Sequence, residues 1–387
     1  MSPTPVSFSS PGAPTSYSWE ATDEEVAARY GLDPATIVRF DLNTSPAPPD
    51  LATRLVAAGR FVAPLSEYPP TDYRALVEAA AARYGVTPAD ILVGAGADEI
   101  LDVVAKVFIP PGGRAIVPVP TYVMYRVLTE QRGATVIAVP RLDETAGWAL
   151  DQAAVRAATA EHEAAVIWLC SPNNPTALAE PEGAIAALLA GLAADAATAG
   201  RPAPVVVLDE AYAEFVGTTL LGLRNAYPNL IVVRTASKAY ALAGLRVGFA
   251  VARPEVIARL NPFRPPGSIS TVSVTLVTEA LRDDTILDDN LARVEAERTR
   301  LTDALRGIGW KVGPSVTNFV LVDLGSTERA TAVAEGLLAR GLVPRTFGAG
   351  HPLADRLRIT VRAADENDRL IAAATELAQA QADQGDD

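Results

Sequence analysis

The chain has 387 residues, 49% of them apolar, enough for two or three domains with sizeable cores. Its 46 acidic residues outnumber 33 basic ones, and a net charge of −13 argues against nucleic acid, whose phosphates require clustered cations. One cysteine, Cys170, and two histidines, His162 and His351, exclude a disulfide framework and a multi-thiolate metal site, and leave too little histidine for a Ser-His-Asp triad.

Residues 2–16 are rich in Ser and Pro and read as a flexible arm, without the basic and apolar regions of a secretory signal. No apolar run reaches the roughly 18–20 residues that span a bilayer. The nearest, the Ala-rich stretch 183–200, is interrupted by Asp195 and reads as a helix packed on a sheet. A soluble protein of the reducing cytoplasm is expected. Apolar, β-branched runs at 115–119, 135–139, 164–170, 204–208 and 230–233 alternate with helical stretches, the pattern of a mostly parallel sheet covered on both faces. From about residue 290 the pattern changes to a long charged helix, a strand at 319–322, a helix at 327–340, a strand at 357–361 and a final helix. The acidic tail 378–387 is expected to fray. The expected division is an arm and part of a small domain over 1–50, a large α/β domain over 51–288 and a smaller α+β domain over 289–387.

Ligands of open α/β sheets bind beyond the carboxyl ends of the strands. Here three consecutive strands lead into Ser171-Pro172-Asn173-Asn174-Pro175, Asp209-Glu210-Ala211-Tyr212 and Arg234-Thr235-Ala236-Ser237-Lys238. One sheet edge therefore receives an amide, a carboxylate with a tyrosine, and a hydroxyl with a lysine. These groups suit pyridoxal phosphate (PLP). Its aldehyde needs a lysine, its ring nitrogen a carboxylate, its phenolic oxygen hydrogen-bond donors, and its phosphate hydroxyls, an arginine and backbone N–H groups. Lys238, Asp209, Asn174 with Tyr212, and Ser237 with Arg246 supply the side chains. The backbone cup is expected at Gly94-Ala95-Gly96-Ala97-Asp98-Glu99, which follows the apolar run 91–93 and opens the helical run 100–108.

The run Arg234-Thr235-Ala236-Ser237-Lys238-Ala239-Tyr240, continuing to Ala243-Gly244-Leu245-Arg246-Val247-Gly248, resembles the lysine motif of class I/II aminotransferases of PLP fold type I. Leu42-Asn43, Tyr68-Pro69, the run Pro120-Thr121-Tyr122-Val123-Met124-Tyr125, Asp209-Glu210-Ala211-Tyr212-Ala213-Glu214-Phe215 and Leu357-Arg358-Ile359-Thr360-Val361 are most similar to the histidinol-phosphate branch. The resemblance runs from about residue 17 to residue 370.

It implies that Lys238 bonds the cofactor, Asp209 pairs with its ring nitrogen, and Asn174 and Tyr212 hold its phenolic oxygen. Tyr122 would stack on the ring. Ser237, Arg246 and the backbone of Ala97 and Asp98 would bind the phosphate, with Tyr68 reaching the site of a second subunit in a homodimer. Arg358 and Arg345 would take the anionic end of the substrate, with Asn43, Tyr17 and Tyr125 close by. The implied reaction moves an amino group from a small-molecule donor to a 2-oxo acid, with histidinol phosphate and 2-oxoglutarate as first candidates. Aromatic amino acids, or decarboxylation of a threonine-phosphate type, are the alternatives. Two positions depart from the family pattern. Ala177 stands where a glycine usually follows Asn-Pro-Thr, with a slight loop shift expected. Arg362 stands where a glycine usually follows Leu-Arg-Ile-Thr-Val, where it either lines the pocket rim or pairs with Asp365 or Glu366 at the surface.

Overall fold

The computed structural model describes residues 16–385 apart from positions 18, 46 and 62, so the arm expected at 2–16 falls almost wholly outside the described residues. In chain order the strands are β1 (Val38–Arg39), β2 (Ile91–Gly94), β3 (Arg114–Val119), β4 (Thr135–Pro140), β5 (Val166–Cys170) and β6 (Val205–Asp209). They continue as β7 (Leu230–Thr235), β8 (Gly248–Val251), β9 (Lys311–Val312), β10 (Phe319–Asp323), β11 (Leu342–Val343) and β12 (Arg356–Thr360).

A seven-stranded sheet has the order β2-β8-β7-β6-β5-β3-β4. All its pairings are parallel except those of β8, which is antiparallel to both neighbours. Successive side chains of a strand point to opposite faces, and both faces here are buried. Val206 and Leu208 pack into one apolar cluster with Leu188, Leu189 and Leu192 of the helix Ala184–Thr198. Val207 packs on the opposite face with Ile100 and Val104 of the helix Gly96–Phe108. The five parallel strands expected from apolar runs are all present, with ends shifted by one or two residues, and the Ala-rich stretch is the helix placed on one sheet face. β8 went unrecognised as a strand. It separates β2 from β7, and its first residue, Gly248, lies against the start of the helix Gly96–Phe108.

The later region forms a three-stranded antiparallel sheet, β12-β10-β9. Val38 and Phe40, from the start of the chain, share its apolar cluster with Val294, Leu301, Val320, Val322, Ile359 and Leu370. The closing helix Ala364–Gly385 continues through most of the tail expected to fray. Alanine and glutamine, both good helix formers, fill its last turns. Among the described residues no helix is long and apolar enough to cross a membrane.

Candidate active site

The register of the sheet brings the three motif-bearing strands together. Cys170 of β5 pairs with Asp209 of β6, and Asp209 with Val233 of β7, so the turns carrying Asn174, Asp209 and Lys238 leave one edge side by side. They wall a cavity of about 560 Å³, closed by Leu42, Asn43 and Arg358 from the smaller sheet's side and by Ala97, Asp98 and Tyr122 from the other.

Asp209, 4% exposed, anchors the floor. Its Oδ2 accepts from the Tyr125 hydroxyl at 2.8 Å and its Oδ1 from Ala211 N–H at 3.0 Å. Among the described residues no cation is ion-paired to it, and burial pushes its carboxyl up to about 6. Lys238 Nζ lies 5.8 Å from the centre of the Tyr212 ring and donates to the Asn43 carbonyl at 3.2 Å and the Leu42 carbonyl at 3.4 Å. Burial, and after it the charge of Arg358, lowers its ammonium to about 8. The Tyr212 oxygen accepts from Asn43 Nδ2 at 3.0 Å, which leaves the hydroxyl hydrogen for an acceptor in the cavity.

The opposite end is built from backbone. Gly96, at φ +85°, lies so close to Arg246 that a Cβ there would meet its Nη2 at 2.5 Å. A Cβ on Gly248 would meet the Gly96 carbonyl carbon at 2.4 Å and the Ala97 nitrogen at 2.5 Å. Only glycine permits that approach, and it sets the helix N-terminus, a natural anion site, at the cavity. Arg246 Nη2 sits 3.3 Å from Asp98 Oδ2, and the Tyr122 hydroxyl donates to Asp98 Oδ1 at 3.0 Å. Ser237 is buried and its Oγ accepts from Thr235 Oγ1 at 2.9 Å. A buried carboxylate without a cation at one end, a low-pKa lysine between, and a glycine cradle with an arginine at the other fit a ring nitrogen, an aldehyde and a phosphate.

Arg358 and Arg345 are directly opposed across a single antiparallel bridge, with backbone hydrogen bonds of 3.0 and 3.1 Å. That pairing puts both side chains on one face, and both line a neighbouring cavity of about 420 Å³. Arg358 is 7% exposed and has no carboxylate partner among the described residues; it donates to Asn174 Oδ1 at 2.5 Å and to the Asp41 carbonyl, and its Nε has no partner. Burial draws its pKa down.

Most residues expected at the site line one of the two cavities; Tyr68 and Tyr125 line neither. Tyr125 is fully buried, stacked on Trp168 at 5.6 Å with its hydroxyl on Asp209, so it supports the carboxylate and does not face a substrate. Tyr68 is 92% exposed. Trp19, Glu20 and Thr44 also line the cavities, and no motif in the sequence marks them. Ala177 adopts the left-handed conformation, φ 64°, a region that favours glycine, at a cost of about 1 kcal/mol. Its N–H and carbonyl are both bonded, to Asn173 and Val316. Arg362 lines neither cavity; its side chain, only 14% exposed, pairs with Glu366 at 2.8 Å, as expected of one alternative, but it is not at the surface and also donates to Thr44 Oγ1 at 3.3 Å.

A doubly covered sheet with a lysine, a carboxylate and a glycine cradle at its carboxyl edge defines an α/β enzyme of PLP fold type I. The chain belongs to the aminotransferase class I and II family, whose pattern matches residues 52–375. It is 36% identical over 354 residues to the histidinol-phosphate aminotransferase of Symbiobacterium thermophilum, covering 90% of this chain and 92% of that one. With the histidinol-phosphate aminotransferase of Thermobifida fusca the identity is 38% over 350 residues, 88% of this chain and 90% of the other. Among solved structures, histidinol-phosphate aminotransferase from Sinorhizobium meliloti in complex with pyridoxal-5'-phosphate superposes with a TM-score of 0.82 at 26% identity, covering 95% of this chain and 96% of that one. Aspartate aminotransferase from Thermus thermophilus shares the fold, with a TM-score of 0.73 at 23% identity.

Proposed function

We propose that the chain is a PLP-dependent aminotransferase that takes histidinol phosphate as amino donor and 2-oxoglutarate as acceptor. The observation carrying the substrate is Arg358, a buried cation with no carboxylate partner among the described residues, directly opposed to a second arginine at the end of the cavity. Such a pair suits a phosphate dianion, and the relatives that match most of the chain carry the histidinol-phosphate name.

Asp209 would hold the ring nitrogen, Tyr212 and Asn174 the phenolic oxygen, and the N-terminus at Ala97 and Asp98, with Ser237 and Arg246, the phosphate. Tyr122 would lie on the ring. Held there, PLP would supply an aldehyde for an amine and a ring that withdraws electrons from the amine's Cα. Lys238 Nζ, with its ammonium lowered to about 8, holds a neutral fraction of about one in ten at pH 7, and in that form can take a proton from substrate Cα and give it back. Arg358 and Arg345 orient the donor from its anionic end, and Asn43 and Tyr17 close the wall beside it. No histidine is required. We also propose the division into a large domain over 51–288 and a small one over 289–387 joined by part of 1–50. A homodimer in which Tyr68 reaches the other subunit is supported by that ring's exposure on its own subunit.

The reading is tested by offering histidinol phosphate, phenylalanine and threonine phosphate side by side, with 2-oxoglutarate as acceptor. Histidinol phosphate should give the largest kcat/KM, with glutamate formed in equal amount. Preference for phenylalanine, or release of carbon dioxide from threonine phosphate, would replace it.

A further inference from the structure

Arg345, unlike Arg358 among the described residues, has a carboxylate beside it. Glu20 Oε1 accepts from Thr346 N–H at 2.8 Å and from Thr346 Oγ1–H at 2.9 Å, and lies 3.6 Å from Arg345 Nη1. Glu20 and Arg345 are both about one-fifth exposed and line the same 420 Å³ cavity as Arg358. Two hydrogen bonds to one residue hold the carboxylate in place, so its charge is a fixed part of the wall.

We propose that Glu20 is a specificity-determining residue that sets how the arginine pair divides its affinity between monoanions and dianions. The proposal rests on the transamination reading above. Two arginines and one glutamate leave a net charge of +1 at the anionic end of the substrate. That balances a carboxylate and is insufficient for a phosphate dianion. A transaminase of this kind must take a phosphate in one half-reaction and a carboxylate in the other at the same cations, and it must release both. Glu20 opposes any anion in proportion to its charge and competes with it for Arg345. Its presence therefore weakens the dianion more than the monoanion and brings the two affinities together.

A purely structural glutamate, tying the segment before the helix Asp23–Tyr30 to Thr346, would affect both anions equally when replaced. Direct binding separates the two roles without turnover. The holoenzyme and its Glu20→Gln variant, in which the amide oxygen can still accept from Thr346, are titrated by calorimetry at about pH 8 with 2-phenylethyl phosphate and 3-phenylpropionate. If loss of one charge improves the monoanion about threefold, the dianion should improve by about the square of that factor, near tenfold. Thr346→Val, which removes one of the two bonds holding Glu20, should shift both ligands in the same sense by less. Equal factors for the two ligands, or weaker binding of both in Glu20→Gln, would overturn the proposal. Failure of the substrate reading is distinct: histidinol phosphate would not be used by the unaltered enzyme, whatever the ratio of the two anions.

Discussion

Lys238→Ala is expected to reduce turnover by about 10⁴-fold or more, because one side chain supplies both the covalent attachment of the cofactor and the mobile proton. Among the described residues no second lysine lines the cavity to substitute for it. Borohydride treatment of the unaltered holoenzyme should fix the cofactor to the peptide containing Lys238. Attachment to any other lysine would remove the assignment. The low pKa gives an independent check on the protein before cofactor is added. With its ammonium at about 8, about one Lys238 in ten is neutral at pH 7, against about one in 3,000 for an ordinary lysine. The neutral amine is the nucleophile, so capture of added PLP should accelerate about tenfold between pH 7 and pH 9. Followed by the visible absorbance of the bound cofactor, a rate that is flat across that range would show that the amine is not titrating near 8.

The parts of the site legible in the sequence are those that a strand delivers locally. Lys238, Asp209 and Asn174 each follow an apolar β-branched run by a few residues, so the strand that positions them is written beside them. The parts that were not legible depend on distant pairings. Glu20 meets Thr346 across 326 positions of sequence. The opposition of Arg345 to Arg358 rests on a single bridge outside any named strand. β8 offered only four residues, and nothing in their apolar character tells an antiparallel insertion from one more parallel strand. Yet β8 brings Gly248 against the helix N-terminus and so shapes the anion cup. Tyr125 was misplaced for a related reason. It lies three residues after Tyr122, in the first turn of the helix Met124–Gln131, and is turned beneath the cavity where Trp168 and Asp209 receive it.

Asp209→Asn is expected to do opposite things to the protein with and without cofactor. With PLP bound, turnover should fall by at least about 10²-fold, because a neutral amide cannot keep the ring nitrogen protonated. Without it, the same change should stabilise the fold. The buried carboxyl is raised from 3.8 to about 6, so the folded state binds its proton more tightly than the unfolded chain does. Stability linked to such a group is fully present below about pH 4 and is lost as pH rises through about 6. Above that the ionised carboxylate costs about 3 kcal/mol, the equivalent of that shift for a group only 4% exposed. Asparagine removes the charge, keeps an oxygen for Ala211 N–H, and presents its amide hydrogens to a Tyr125 hydroxyl that can turn to accept. Cofactor-free Asp209→Asn should therefore unfold at higher denaturant than the unaltered chain at pH 8, with the gap closing as pH falls toward 4. Addition of PLP should reverse the order at pH 8, since only the carboxylate gains a positive partner. Near-normal turnover in the variant would remove Asp209 from the ring nitrogen. A cofactor-free variant no more stable than its parent at pH 8 would show that the carboxylate is not strained by burial.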